Sequence, residues 1–150
     1  MALKKYKIIY TYSSKIDVQE MKKYILDKFK YSELGNNFTK KIKQAVSDLK
    51  ILPKKNNLTG FQFRGHDIYL KTYHTYLLFY TVNDMNGTVT VLRVLKDGMN
   101  WQYILRKWLY ERENNRHVQL AQIDRRVMEM LHSSTFLLFW EDLNNCIIFR

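Results

Sequence analysis

Between residues 60 and 108 the chain carries three hydrophobic runs separated by turn residues, with charged groups at their ends. This arrangement limits the fold more than any other feature. The run at 76–82, Tyr-Leu-Leu-Phe-Tyr-Thr-Val, has almost no polar interruption, which is the mark of a central strand covered on both faces. Strands are expected at about 61–65, 68–73, 76–83 and 88–95. The turns between them are Gly65-His66-Asp67, Tyr73-His74-Thr75 and a loop at 83–87 ending in Asn86-Gly87, a strong hairpin signal. Connections this short require antiparallel neighbours.

Helical periodicity lies ahead of this sheet. Residues 5–12 are rich in strand formers, with Tyr6, Ile8, Tyr10 and Tyr12 on one face. Ser14-Lys-Ile-Asp17 has the spacing of a capping box, with Asp in the fourth place, and opens a helix carrying Val18, Met21, Ile25 and Phe29 on one side. Gly35-Asn36-Asn37 is read as a break. A second helix then places Phe38, Ile42, Ala45, Leu49 and Leu52 on one stripe and is stopped by Pro53. A basic loop is expected at 54–60. Beyond the sheet, Asn100 caps a helix whose apolar face holds Trp101, Ile104, Leu105, Trp108 and Leu109. A further helix is expected at 116–132, followed by short apolar runs at 135–140 and 146–149. The latter require burial, with a second subunit as one cover, because such runs aggregate when exposed.

Charge is unevenly placed. The net charge is +11, and residues 1–110 hold 20 Lys/Arg against 8 Asp/Glu, whereas residues 111–150 hold 5 against 6. A field of that sign favours polyanions or an acidic protein partner, although a solvated lysine-rich surface has the same composition. One cysteine, Cys146, excludes an internal disulfide framework and points to a reducing, cytoplasmic setting. No run reaches the length that spans a bilayer, and the N-terminus lacks the apolar core of a signal peptide. His117, His132 and Cys146 do not have metal-ligand spacing, so neither a metal nor another cofactor is expected.

The order of an Arg64-Gly65 corner, a buried aromatic strand at 76–82 and a strand ending Arg93-Val94-Leu95 resembles the RelE/ParE superfamily of bacterial toxins over roughly residues 5–108. The resemblance implies an α+β fold: an N-terminal strand, an α-helical hairpin, a twisted antiparallel sheet of four to five strands, and a C-terminal helix with an extra helical tail. It divides the chain into a toxin domain at 1–110 and an extension at 111–150. It also implies the toxin of a type II toxin–antitoxin pair, held by a cognate antitoxin and arresting growth when released. In one branch such a toxin cuts mRNA at the ribosome. In the ParE-like alternative it inhibits DNA gyrase without catalysis. A third reading keeps only an interaction module, with the tail as a homodimer surface.

The nuclease branch needs converging cations and a proton-transfer group beside one phosphate. Arg64 and Arg93 are the candidates to hold the phosphate, supported by Lys54, Lys55, Lys71 and Lys96. His74 and Tyr73 are the candidate acid/base pair, with His66 a turn histidine of the same sheet. Arg64 at a groove edge competes with Arg64 tied to carboxylates of the helical hairpin. Arg93 lies inside an apolar strand, where a bare charge is costly, so it is either partnered or projects into the groove, and the groove is the favoured reading. Two features depart from the nuclease pattern. Leu77 follows Tyr76 where that branch carries Arg, and Gly98-Met99-Asn100-Trp101 replaces its basic cluster and late tyrosine, looking more like the ParE-type ending.

Overall fold

Thr11 sets the first junction. Its backbone is extended, its hydroxyl accepts from Ser14 N–H at 3.1 Å, and it turns a short strand, β1 (Lys7–Tyr10), into helix α1 (Tyr12–Phe29). The computed structural model describes the backbone of residues 3–130 and the side chains of residues 3–116. After α1 come α2 (Ser32–Ser47), two 3₁₀ turns (Asp48–Lys50 and Pro53–Lys55), β2 (Asn57–Phe63), β3 (His66–Tyr73), β4 (Tyr76–Asn83), β5 (Thr88–Lys96) and α3 (Trp101–Met130). The α+β class read from the sequence is the observed one.

Helix α1 starts two residues before the expected Ser14, because Thr11 takes the cap and Ser14 is buried with its hydroxyl donating to Thr11 C=O. Helix α2 runs straight through Gly35-Asn36-Asn37. Gly35 is there for close approach: a Cβ at this position would lie 2.9 Å from Leu26 Cδ2 of α1. The helices turn instead at Lys30, whose φ of 57° closes α1. Helix α2 ends at Ser47, well before Pro53. The expected loop at 54–60 is one 3₁₀ turn followed by the start of β2.

The sheet has the order β1-β5-β4-β3-β2. Strands β2 to β5 form an antiparallel meander, whereas β1 joins β5 in parallel, Lys7 opposite Thr88 and Tyr10 opposite Val91. The sheet is therefore mixed. A parallel neighbour needs a long crossover, and here the helical hairpin and strands β2 to β4 all lie between β1 and β5. Phe38, Ile42, Ala45 and Val46 of α2 pack with Leu78, Val91 and Val94, and Leu49 packs with Tyr80, Val82 and Val89. The alternate positions Leu77, Phe79 and Leu95 are buried as well, which gives β4 the two covered faces expected from its composition.

The chain divides into two compact units between Met99 and Asn100. In the second unit, Asn100 Oδ1 accepts from Tyr103 N–H at 3.2 Å and starts α3. This helix is continuous for 30 residues where two were expected. Leu105 and Trp108 are buried, and the Arg112 guanidinium lies 4.9 Å from the Trp108 ring centroid. The apolar runs at 135–140 and 146–149, and the homodimer surface assigned to them, lie outside the described residues. Among the described residues no helix is long and apolar enough to cross a membrane.

Tyr80 pins the second 3₁₀ turn to the sheet. Its hydroxyl donates to Pro53 C=O and accepts from Asn56 Nδ2 at 2.8 Å, and its ring stacks on Tyr69 at 5.6 Å. Burial is the main cause that pushes its phenol up to about 12. We expect Tyr80→Phe to cost about 1–2 kcal/mol at pH 8 by urea unfolding, through the lost hydrogen bonds. A raised folded-state pKa stabilises below the unfolded value of 10 and ceases to do so as pH climbs through 12. The gap between parent and variant should therefore shrink from pH 9.5 to pH 12. A gap that stays constant over this range would contradict the assignment.

Candidate functional site

Strand β1 pairs with β5 only as far as Val91, leaving the outer edge of residues 92–96 to other partners. The start of α1 supplies them. Thr11 hydroxyl donates to Leu92 C=O at 2.7 Å, and Asp17 Oδ2 accepts from Val94 N–H at 3.0 Å. The same carboxylate takes the Arg93 guanidinium side-on, Nε to Oδ2 at 2.7 Å and Nη2 to Oδ1 at 2.8 Å. The Arg93 side chain is 18% exposed and that of Asp17 9%. Of the two readings open for Arg93, the structure has the partnered one. Its guanidinium is engaged inside the fold, because an unpaired charge at this depth would be costly.

The other candidate cations are distributed in a similar way. Lys71 is buried, and its Nζ donates to Ala45 C=O at 2.8 Å and to Asp48 Oδ2 at 3.0 Å, closing the C-terminal turn of α2. The Lys71 hydrogen bond is the first cause that holds the Asp48 carboxyl below its usual range. Lys54 pairs with Asp84, which also accepts from the Tyr6 hydroxyl at 2.7 Å. Those two bonds, Lys54 first, lower the Asp84 pKa. Arg64 and Gly65 both have positive φ, 51° and 78°, as a two-residue hairpin turn of this hand requires, and the Arg64 guanidinium lies 5.0 Å from the Phe63 ring. Lys55 and Lys96 are exposed.

Register separates these groups. Arg64 lies in the turn before β3, and Tyr73 and His74 lie at its far end. The strand between them is eight residues long, so the two turns are about 24 Å apart at roughly 3.4 Å per residue. Arg93 pairs with Phe79 in β4, and Phe79 pairs with Leu70 in β3. That places Arg93 three strands from the β2 edge, about 14 Å across the sheet, and several residues along it from Arg64. The structure brings Tyr73 together with His74, edge to face at 4.5 Å, and sets Lys71 Nζ 5.7 Å from the Tyr73 ring. Lys96 stands opposite Tyr76 at that same end. It does not bring Arg64 and Arg93 together, nor either of them to His74.

Phosphodiester cleavage needs cations and a proton carrier at one phosphate, and the candidates here are divided between two ends of a sheet and the ion pairs Arg93–Asp17 and Lys71–Asp48. Among the described residues no cluster of three His, Cys, Asp or Glu side chains is placed to hold a metal. Sequence reasoning missed the roles of Asp17, read only as a capping acid, and of Asp84, read only as part of a turn.

A family model described as the ParE toxin of type II toxin–antitoxin system, parDE, matches residues 8–101. A chromosomal ParDE toxin–antitoxin system from P. aeruginosa is similar in structure, with 12% identity, a TM-score of 0.51, and coverage of 61% of this chain and 96% of that one. The toxin–antitoxin complex RelBE2 from Mycobacterium tuberculosis has 20% identity, a TM-score of 0.43, and coverage of 63% and 94%. An archaeal RelE–RelB complex from Pyrococcus horikoshii OT3 has 15% identity, a TM-score of 0.43, and coverage of 63% and 97%. At 12% identity the first likeness is one of fold. No curated protein matches the sequence.

The Asp17 assignment can be tested by two substitutions. Asp17→Ala should destabilise the fold by about 2–3 kcal/mol, since it strands the part-buried Arg93 and leaves Val94 N–H without its acceptor. Asp17→Asn keeps an acceptor for that N–H and should lose less. Urea midpoints for both variants check the order, and equal midpoints to the parent would show that the carboxylate is dispensable.

Proposed function

Because the chain belongs to the ParE toxin family of type II toxin–antitoxin systems, we propose that it arrests growth by binding rather than by cutting, with DNA gyrase as its target. One observation carries this reading: the Arg93 guanidinium, the best-placed strand cation for a phosphate groove, is held in a two-point pair by Asp17. A nuclease of this superfamily would need that charge at the scissile phosphate. The placement of Arg64, Arg93 and the Tyr73–His74 pair at separate points of the sheet supports the same conclusion. So do Leu77 in place of a strand arginine and the ending Gly98-Met99-Asn100-Trp101.

The partner in this reading is a cognate antitoxin, in keeping with the ParDE, RelBE2 and RelE–RelB systems that the similar structures represent. The basic balance of residues 1–110 would draw an acidic inhibitor quickly. A flexible inhibitor segment that folds on contact would cover a large area of the toxin.

Induction of the protein in a bacterial host tests the mechanism. We expect growth arrest, an SOS response and inhibited supercoiling by gyrase in vitro, with messenger RNA intact by primer extension. Codon-phased cuts in mRNA with normal supercoiling would replace this reading with the endoribonuclease. Folded protein without any growth defect would leave an interaction module alone.

A further inference from the structure

At the end of the sheet opposite the Tyr73–His74 turn, three stretches far apart in sequence are tied together. Tyr6 N–H donates to Lys50 C=O and Lys7 N–H to Gly87 C=O, both at 2.8 Å. Lys4 Nζ reaches Asp84 C=O at 2.6 Å, and Lys54 and the Tyr6 hydroxyl share the Asp84 carboxylate. Residues 3–7, 50–55 and 84–87 thus meet at one surface. It carries Lys4, Lys5, Lys7, Lys50, Lys54 and Lys55, all exposed, and Asp84 is the single acid of the three stretches. Among the described residues, Lys5, Lys7 and Lys50 make no ion pair.

Aliphatic side chains stand among these lysines. Met85 is 97% exposed, Leu3 67%, Leu52 52% and Ile51 45%. This mixture discriminates between partners. A nucleic-acid backbone pairs with lysine through phosphate but gains little from four aliphatic groups. A membrane-seated surface is marked by aromatic belts and an amphipathic helix, and neither is present in these three stretches. A polypeptide segment with carboxylates interspersed among aliphatic residues matches both halves of the surface. Asp84 demonstrates the polar half, since Lys54 and Tyr6 already hold one carboxylate there.

We propose that this end of the sheet, around Lys50, Leu52, Lys55 and Met85, docks an acidic, aliphatic protein segment. The gyrase reading is not required for this surface to work.

Fluorescence anisotropy with the full chain tests it. The probes are a labelled peptide of glutamates interspersed with leucines, the same peptide with serine for leucine, a polythymidine oligonucleotide, and vesicles rich in phosphatidylserine. The Glu–Leu peptide should bind most tightly. Lys50→Glu/Lys55→Glu should weaken it about tenfold and Leu52→Ser/Met85→Ser about threefold, with melting temperatures unchanged because all four side chains are exposed. Parent-like affinity in both variants overturns the proposal, as does tighter binding of the oligonucleotide or of the vesicles. Growth arrest is scored in parallel. Loss of peptide binding in a variant that still arrests growth supports a docking surface separate from the toxic one. A parent that binds the peptide without inhibiting supercoiling supports the docking surface while sinking the gyrase reading.

Discussion

The Asp17 carboxylate holds helix α1 against strand β5. It accepts from Arg93 twice and from Val94 N–H once, so a single helical side chain stands in for a strand that β1 is too short to supply. Without it, the outer edge of β5 would present an unsatisfied N–H beside a part-buried guanidinium. Both are costly in a low-dielectric setting, and the two penalties would fall at the same place. The bulge at Leu92, where β5 shifts register against β4, is the companion of this arrangement. It lies at the point where α1 takes over from β1 as the neighbour of the strand.

Lys71 of β3 and Tyr80 of β4 follow the same logic. Each sends a polar tip from the sheet to a backbone carbonyl at a helix end, Ala45 in the last turn of α2 for Lys71 and Pro53 at the start of the second 3₁₀ turn for Tyr80. The Ala45 carbonyl is among the last four of α2, which lack a partner within the helix and must be satisfied by something else. The segment joining α2 to β2 has little regular structure, and these two side chains fix its course. That course brings Lys50, Lys54 and Lys55 to the end of the sheet.

Much of the fold was legible because it rests on local signals. The three hydrophobic runs, the turn at Asn86-Gly87 and the Asn100 cap each declare themselves within a few residues. Gly35 misled because glycine beside two asparagines looks like a stop, whereas the helix needs it to admit Leu26. The parallel pairing of β1 left no trace in composition, since a strand reads alike in either direction. The site was less legible still. A sequence shows which residues are cationic but not which carboxylate each one meets. Asp17 and Arg93 are separated by 76 positions, and Lys71 and Asp48 by 23. Its place inside an apolar strand left Arg93 open to a partner or to a groove, and the structure supplies the partner, Asp17.

The parallel edge also bears on the order of assembly. The meander from β2 to β5 is built from neighbours in sequence, whereas β1 waits for a strand that begins 81 residues after its own first residue, Lys7 opposite Thr88. A chain still emerging from synthesis can form the α1–α2 pair, but it cannot close its outermost strand until β5 has been made. The bonds that Thr11 and Asp17 make to β5 wait for the same interval. A toxin of this family thus gains its complete surface only after most of it has been translated.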